Sequence, residues 1–330
     1  VTRTAIFNAD QALSGLRQAV HEKASNFYAM YSSVLGGIVT DPAFMVVPLD
    51  DHMVHRGHAV FDTATLMNGM LYQLDPHLDR LIKSAEGARI ALPFERPQLR
   101  QIILDTAAAS RRRDGSVRYW VSAGPGGYGL GPAECVGSSF YVIVFKQEAY
   151  PENYYREGVK MVTSQVPIKP PLFARVKSTN YLPNVLVVLE AKDRGADNGV
   201  FIDQRGMVAE SSNMNVAFVT RDCVFRHPPF DAILSGITVH RVLEFAARLV
   251  HQGALDSVRV ADISVEEGRN AVEMMLIGSS IKVAPVVEWD GRPIGDGKPG
   301  PITLRLLQMW NEDVRFAADQ LVAVPYEEGI

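Results

Sequence analysis

Two residues of this sequence carry side chains suited to chemistry on an amine and a carbonyl. Lys177, in Arg175-Val-Lys-Ser-Thr-Asn-Tyr-Leu-Pro-Asn-Val-Leu186, bears an amine that can shed its proton and hold an aldehyde carbon as an imine. Glu210, followed by Ser211-Ser212, bears a carboxylate that could stand beside a cation. Taken alone, Lys177 reads as a surface lysine and Glu210 as a solvated turn glutamate. Three other patterns invite chemistry and fail on context. Gly124-Pro-Gly-Gly-Tyr-Gly129 spells a dinucleotide-binding fingerprint, but Pro132 and a β-rich run follow where a helix should open, so it reads as a glycine-rich turn or active-site loop. His52, His55 and His58 recur every three residues without a His-Glu-x-x-His pattern or a third carboxylate ligand, so no metal site is expected. Arg111-Arg112-Arg113 before Asp114-Gly115 reads as a solvated helix end.

The elements that must position these residues are legible from periodicity. Leu13, Leu16, Val20 and Ala24 predict a helix, and the run from Tyr28 through Gly36-Gly37 a hairpin. Strands are expected at Met45–Leu49, Thr63–Met67, Val117–Ser122 and Phe140–Phe145, with helices over His77–Ile90 and Arg96–Ser110 between them. After a polar, aromatic bend around Pro151 come a helix over Tyr181–Arg194, strands at Gly199–Asp203 and Asn215–Val219, and an amphipathic helix over Thr238–Gln252 that Gly253 ends. The expected class is α+β in two domains: a helical extension over 1–40, a small α+β domain over 41–149, a linker over 150–156 and a large domain over 157–330.

Composition narrows the function. A chain of 330 residues, 47% hydrophobic and 21% charged, can bury a core of two-domain size. A formal charge of −4, small and spread along the chain, leaves no basic footprint for a phosphodiester backbone and argues against a nucleic-acid partner. No apolar run approaches the roughly 20 residues of a membrane helix, so no membrane association is expected. Cys135 and Cys223 stand far apart and outside any Cys-x-x-Cys spacing, which points to a reducing compartment. The expected location is the cytoplasm or, with a transit peptide absent from the chain, the plastid stroma.

The segment around Lys177 resembles the cofactor-lysine segment of fold-type IV pyridoxal-phosphate enzymes, the branched-chain/D-amino-acid aminotransferase family. Four more segments resemble that family in the same order: Pro76-His-Leu-Asp-Arg-Leu-Ile-Lys-Ser-Ala85, Val208-Ala-Glu-Ser-Ser-Asn-Met-Asn215, Leu234-Ser-Gly-Ile-Thr238, and Met274-Met-Leu-Ile-Gly-Ser-Ser280 followed by Ala284-Pro-Val286. Together they span about 47–307. Pro48–Gly57, Arg118–Pro125 and Pro167–Pro171 look closest to the plant-type D-amino-acid transaminase branch.

The resemblance implies pyridoxal 5'-phosphate as cofactor and an active site between the two domains. Lys177 would hold the cofactor and act as base and acid. Glu210 would keep the pyridine nitrogen protonated. Arg80, the Ile237 and Thr238 amides, the Thr238 hydroxyl, Ser279 and Ser280 would form the phosphate cup. Leu234 would pack on the ring face, and Tyr181 would reach the phenolate oxygen. The carboxylate clamp of the bacterial D-amino-acid enzymes has no counterpart, because its places hold Thr65, Tyr128 and Leu130; Arg118, Tyr128 and the backbone around Ser279-Ser280 are the replacement candidates. The implied reaction moves an amino group between a D-amino acid, such as alanine or aspartate, and a 2-oxo acid such as 2-oxoglutarate or pyruvate. Branched-chain L-amino-acid or (R)-amine transamination, and 4-amino-4-deoxychorismate lysis, are the alternatives within the fold. The expected partners are these small molecules and a second copy in a homodimer.

Overall fold

The computed structural model describes residues 3–326, whose strands join in two sheets. The first sheet is antiparallel. It contains β1 (Phe27–Ser32), β2 (Gly37–Val39), β3 (Ala59–Met67), β4 (Met70–Tyr72), β5 (Gly115–Ser122) and β6 (Ser139–Phe145). The second takes β7 (Val159–Thr163), β8 (Asn198–Ile202), β9 (Val208–Ser211), β10 (Asn215–Val219), β11 (Val224–His227), β12 (Ser257–Val260), β13 (Glu273–Gly278), β14 (Lys282–Trp289) and β15 (Arg292–Pro293). The last strand, β16 (Leu321–Ala323), crosses back, so the orders are β16-β4-β3-β5-β6-β1-β2 and β12-β11-β10-β13-β14-β7-β8-β9, with β15 on β14.

Helices of ten residues or more are α1 (Ala9–Gln18), α2 (Leu74–Gly87), α3 (Arg96–Ala109), α4 (Leu182–Asp193), α5 (Ile237–His251) and α6 (Pro301–Phe316). In β3 every second side chain from Val60 is buried, the pattern of a strand with one face on a core. That face meets α2, whose Leu74, Leu78 and Leu81 recur at helical spacing and are fully buried with Val117 and Val121 of β5. Each such leucine contributes roughly 1.5–3 kcal/mol by leaving water. In the second sheet, Met275, Ile277 and Val283 pack under Val242, Phe245 and Leu249 of α5 and Trp310 of α6. Burial of α2 and α5 fixes the two helices that carry Arg80 and Thr238.

The structure departs from the sequence reading in several places. The hairpin expected after Tyr28 forms, as β1 and β2, but it belongs to the first sheet rather than to a helical extension, because β1 pairs with β6 over the alternating run Phe27–Ser32. Met45–Leu49 is not a strand: Pro42 starts a single 3-10 turn and Pro48 cannot donate to a ladder. Helix α2 begins at Leu74 rather than His77, since Pro76 is tolerated in a first turn. The expected linker 150–156 packs Tyr150, Tyr154 and Tyr155 on the second core. The expected large domain gives its last strand to the first sheet, where β16 satisfies the otherwise open edge of β4. The outermost residues of the expected ranges, 1–2 and 327–330, lie outside the described residues.

Candidate active site

The Lys177 backbone is fixed by the first sheet. Its carbonyl accepts from the Phe61 amide at 2.9 Å, the Thr179 amide donates to Ala59 at 2.9 Å, and Ser178 bridges Val60, so the segment lies along the start of β3 as a short extra strand. The Thr179 hydroxyl and the Asn180 amide both donate to the Gly57 carbonyl. Gly57 has φ +63°, and a Cβ there would meet Asn180 Oδ1 at 2.5 Å, so only glycine admits this approach. The side chain then crosses the Phe61 ring, with Nζ 4.7 Å from the centroid and 3.2 Å from the Tyr181 hydroxyl.

Arg80 reaches the same cavity from α2. Asp62, fully buried on β3, accepts its Nε and Nη2 at 2.8 Å each and also meets His77 Nδ1 at 2.8 Å. Burial alone would raise the Asp62 carboxyl, but the Arg80 guanidinium and His77 hold it far below the usual carboxylate range. The Arg80 Nη1 donates to the Ser235 carbonyl at 3.1 Å, leaving one N–H on each terminal nitrogen for a ligand. Asp62 lies in no motif, and nothing within the Pro76–Ala85 segment singles out His77; the strand alternation that puts Asp62 inside is the signal that could have found the pair.

Glu210 on β9 is 7% exposed and accepts one bond, from the Leu234 amide at 3.2 Å. Burial pushes its carboxyl up to about 7, against the pull of Lys169, the Leu234 amide and Lys177. Asn215 holds the Leu234 carbonyl at 3.1 Å, so the 234–236 turn is pinned from both ends. A Cβ on Gly236 would lie 2.1 Å from Asn215 Oδ1. No side chain caps α5, whose N-cap is Gly236, and the first-turn amides of Ile237 and Thr238 therefore stay available to an anion. Thr238 Oγ1 lies 3.1 Å from Ser279 Oγ, at the end of β13.

One cavity of about 260 Å³ brings these groups together, lined by Arg80, Lys177, Tyr181, Glu210, Leu234, Ile237, Thr238, Ser279, Ser280 and Arg118. Its wall also takes Phe61, Asp62, Thr63, Lys169 and Asn184, none of them expected from sequence. Thr65 is not brought there. It sits two residues further along β3, roughly 7 Å, opposite Tyr72 and Ser116, and Thr63 occupies the cavity wall instead. Tyr128 also stays outside, 59% exposed on the glycine loop. That loop is tied to the short helix His52–Arg56: Arg56 donates to the Tyr128 carbonyl at 2.6 Å, and His52 Nε2 lies 3.3 Å from the Gly129 carbonyl. The histidines thus meet backbone, with His55 on Asp50 and His58 on Ala88.

The donor set fits the phosphorylated pyridine aldehyde implied by the sequence. A buried carboxylate with a single backbone partner suits a ring N–H, an uncapped helix start beside an arginine suits a phosphate, and a half-buried lysine amine stands between them. Comparison with known proteins agrees. The amino-transferase class IV family model matches residues 59–289. The chloroplastic D-amino-acid transaminase of Arabidopsis thaliana is 51% identical over 94% of this chain and 83% of its own length. The D-alanine aminotransferase of Bacillus licheniformis is 29% identical over 82% of this chain and 92% of its own. The solved structure of the T.th. branched-chain amino acid aminotransferase with pyridoxamine 5'-phosphate superposes with a TM-score of 0.82 at 26% identity, covering 90% of this chain and 99% of that one. By its fold, its sequence and the residues its cavity gathers, the chain belongs to the class IV aminotransferases.

Proposed function

We propose that the protein is a pyridoxal-phosphate-dependent transaminase that exchanges an amino group between a D-amino acid, such as alanine or aspartate, and a 2-oxo acid such as 2-oxoglutarate or pyruvate. The convergence of Lys177, Glu210 and Arg80 on one cavity carries the chemistry, and the 51% identity to a D-amino-acid transaminase supports the substrate class. When bound, the cofactor supplies an aldehyde that captures the amine and a ring that draws electrons from the substrate Cα.

The residues divide the remaining work. Lys177 Nζ would hold the cofactor through its aldehyde carbon and, when free, would serve as the base and acid that moves the substrate Cα proton. The Tyr181 hydroxyl, 3.2 Å from that amine, orients it and would donate to the cofactor's phenolate oxygen. Glu210 in its ionised form keeps the ring nitrogen protonated. The two free N–H groups of Arg80, the start of α5, Thr238, Ser279 and Ser280 would take the phosphate, and Leu234 would pack on the ring. Arg118, on the same wall, receives a substrate carboxylate. Excluding water from this cavity strengthens each of these contacts.

A homodimer is supported by α4, an apolar helix that leaves Leu182, Val185 and Leu189 more than half exposed. Sedimentation of the holoenzyme tests the assembly, and a monomer at micromolar concentration would remove it. Among the described residues no helix is long and apolar enough to cross a membrane. The Arabidopsis relative is named chloroplastic, which supports the plastid stroma over the cytoplasm.

The visible spectrum of the cofactor-loaded protein tests the activity. Bleaching of the cofactor band by D-alanine and not by L-leucine is expected. Bleaching by L-leucine alone would replace the reading with a branched-chain one, and a protein that takes up no pyridoxal phosphate would end both.

A further inference from the structure

We infer that Thr63 is the positioning residue that turns the terminal fork of Arg118 toward the substrate carboxylate. This rests on the reading of Arg118 as the carboxylate receptor. Thr63 and Arg118 are directly opposed on β3 and β5, so their side chains leave the sheet on the same face. The Arg118 Nε donates to Thr63 Oγ1 at 2.9 Å. That bond uses the single N–H of Nε. The four N–H groups of Nη1 and Nη2 then have no protein partner among the described residues, and the side chain lines the cavity that holds Lys177.

Two rings fix the plane. Phe61 and Phe145 lie 5.5 and 5.4 Å from the guanidinium carbon, which leaves it rotation about the bond that Thr63 blocks. Thr63 is itself held, because its amide donates to Asp62 Oδ1 at 2.8 Å. Consecutive residues of one strand therefore each grip an arginine by its Nε edge. Asp62 grips Arg80 with a full negative charge and neutralises it, whereas Thr63 grips Arg118 with a neutral oxygen and leaves its charge whole.

That difference has a chemical consequence. A guanidinium packed between aromatic rings without a carboxylate among the described residues gains most from an arriving anion, and two parallel N–H groups fit a carboxylate as a bidentate pair. An acidic residue in place of Thr63 would fill that role from within the protein and close the receptor. A residue with no acceptor would leave the fork free to turn. Threonine does neither.

The test compares Thr63→Val, Thr63→Ser and Arg118→Lys in the cofactor-loaded enzyme, with D-alanine as donor and 2-oxoglutarate as acceptor. Thr63→Val keeps the shape and removes the acceptor, so KM for both substrates is expected to rise roughly tenfold, the loss of one charged hydrogen bond, with kcat within about twofold. Thr63→Ser should restore KM, and the cofactor spectrum should match the parent in both. An unchanged KM in Thr63→Val overturns the inference, as does a fall in kcat with an altered spectrum that serine does not rescue. An unchanged KM in Arg118→Lys fails the reading of Arg118 itself. Raised KM in Arg118→Lys but not in Thr63→Val leaves that reading and removes Thr63 from it.

Discussion

Replacing Glu210 by glutamine should remove a pH dependence of stability that the cofactor-free protein owes to one buried carboxyl. Glu210 is 7% exposed, and its folded value is pushed up to about 7 from 4.5, chiefly by burial. A raised carboxyl means that the folded state binds the proton more tightly than the unfolded chain. Its contribution is therefore fully present below about 4.5, is lost as pH rises toward 7, and stays lost above. The interval corresponds to roughly 3 kcal/mol. For a chain of this size that is roughly 4–5 °C of melting temperature. Glutamine cannot titrate, so the parent should lose that much relative to Glu210→Gln between about pH 4.5 and 7.5. Melting followed by circular dichroism on both apo proteins across this range measures the difference. With cofactor bound, a protonated ring nitrogen beside the carboxylate should flatten the parent's dependence. Parallel melting profiles for the two apo proteins would refute both the assignment of Glu210 as a desolvated, nearly unpartnered carboxyl and the argument that it awaits a cation.

Lys177→Ala should retain cofactor binding through the phosphate contacts yet lose turnover by roughly 10²-fold or more, read by product formation against bound cofactor. Asp62→Asn strips the counter-charge from Arg80 in a buried site, so urea unfolding should show a loss of about 3–5 kcal/mol and cofactor titration a weaker affinity. Gly236→Ala drives a Cβ onto Asn215 Oδ1 at the turn before α5, and cofactor dissociation should quicken while α2 and its core stay intact by circular dichroism. Leu78→Ala, fully buried between α2 and the first sheet, should cost about 2–5 kcal/mol without changing KM.

The parts of the site that lie in contiguous segments could be read from sequence, because contiguous chemistry leaves a contiguous pattern. Lys177 with Tyr181, Glu210 with its following serines, and the Leu234–Thr238 turn each stand in one unbroken segment of the sequence, although distant partners hold them in place. What escaped is set by pairing between strands. Thr63 faces the cavity and Thr65 does not, although both lie on the same side of β3, and only the register against β5 tells them apart. Asp62 falls just before the strand expected over Thr63–Met67, and its role appears only when α2 brings His77 and Arg80 to it from 15 and 18 residues away. Tyr128 was legible as a loop residue but not as one exposed to solvent. In the fold, core periodicity placed α3, α5 and β10 within a residue or two. The glycine pair marked the hairpin of β1 and β2, yet nothing near it in the chain announces its partner, because β6 lies more than a hundred residues later.

The return of β16 to β4 bears on how the chain is made. Val322 and its neighbours pair with Met70–Tyr72, the Gln73 amide donates to the Gln320 carbonyl at 2.7 Å, and the Tyr72 hydroxyl donates to Asp313 of α6 at 2.6 Å. During synthesis β4 leaves the ribosome about 250 residues before the strand that closes its edge. Until then β4 offers a bare ladder and a buried tyrosine has no acceptor. Completion of the first sheet thus waits for those residues, and a ribosome that stalls between β4 and Leu321 releases a nascent chain with an open edge, ready for chaperones or for pairing with another copy.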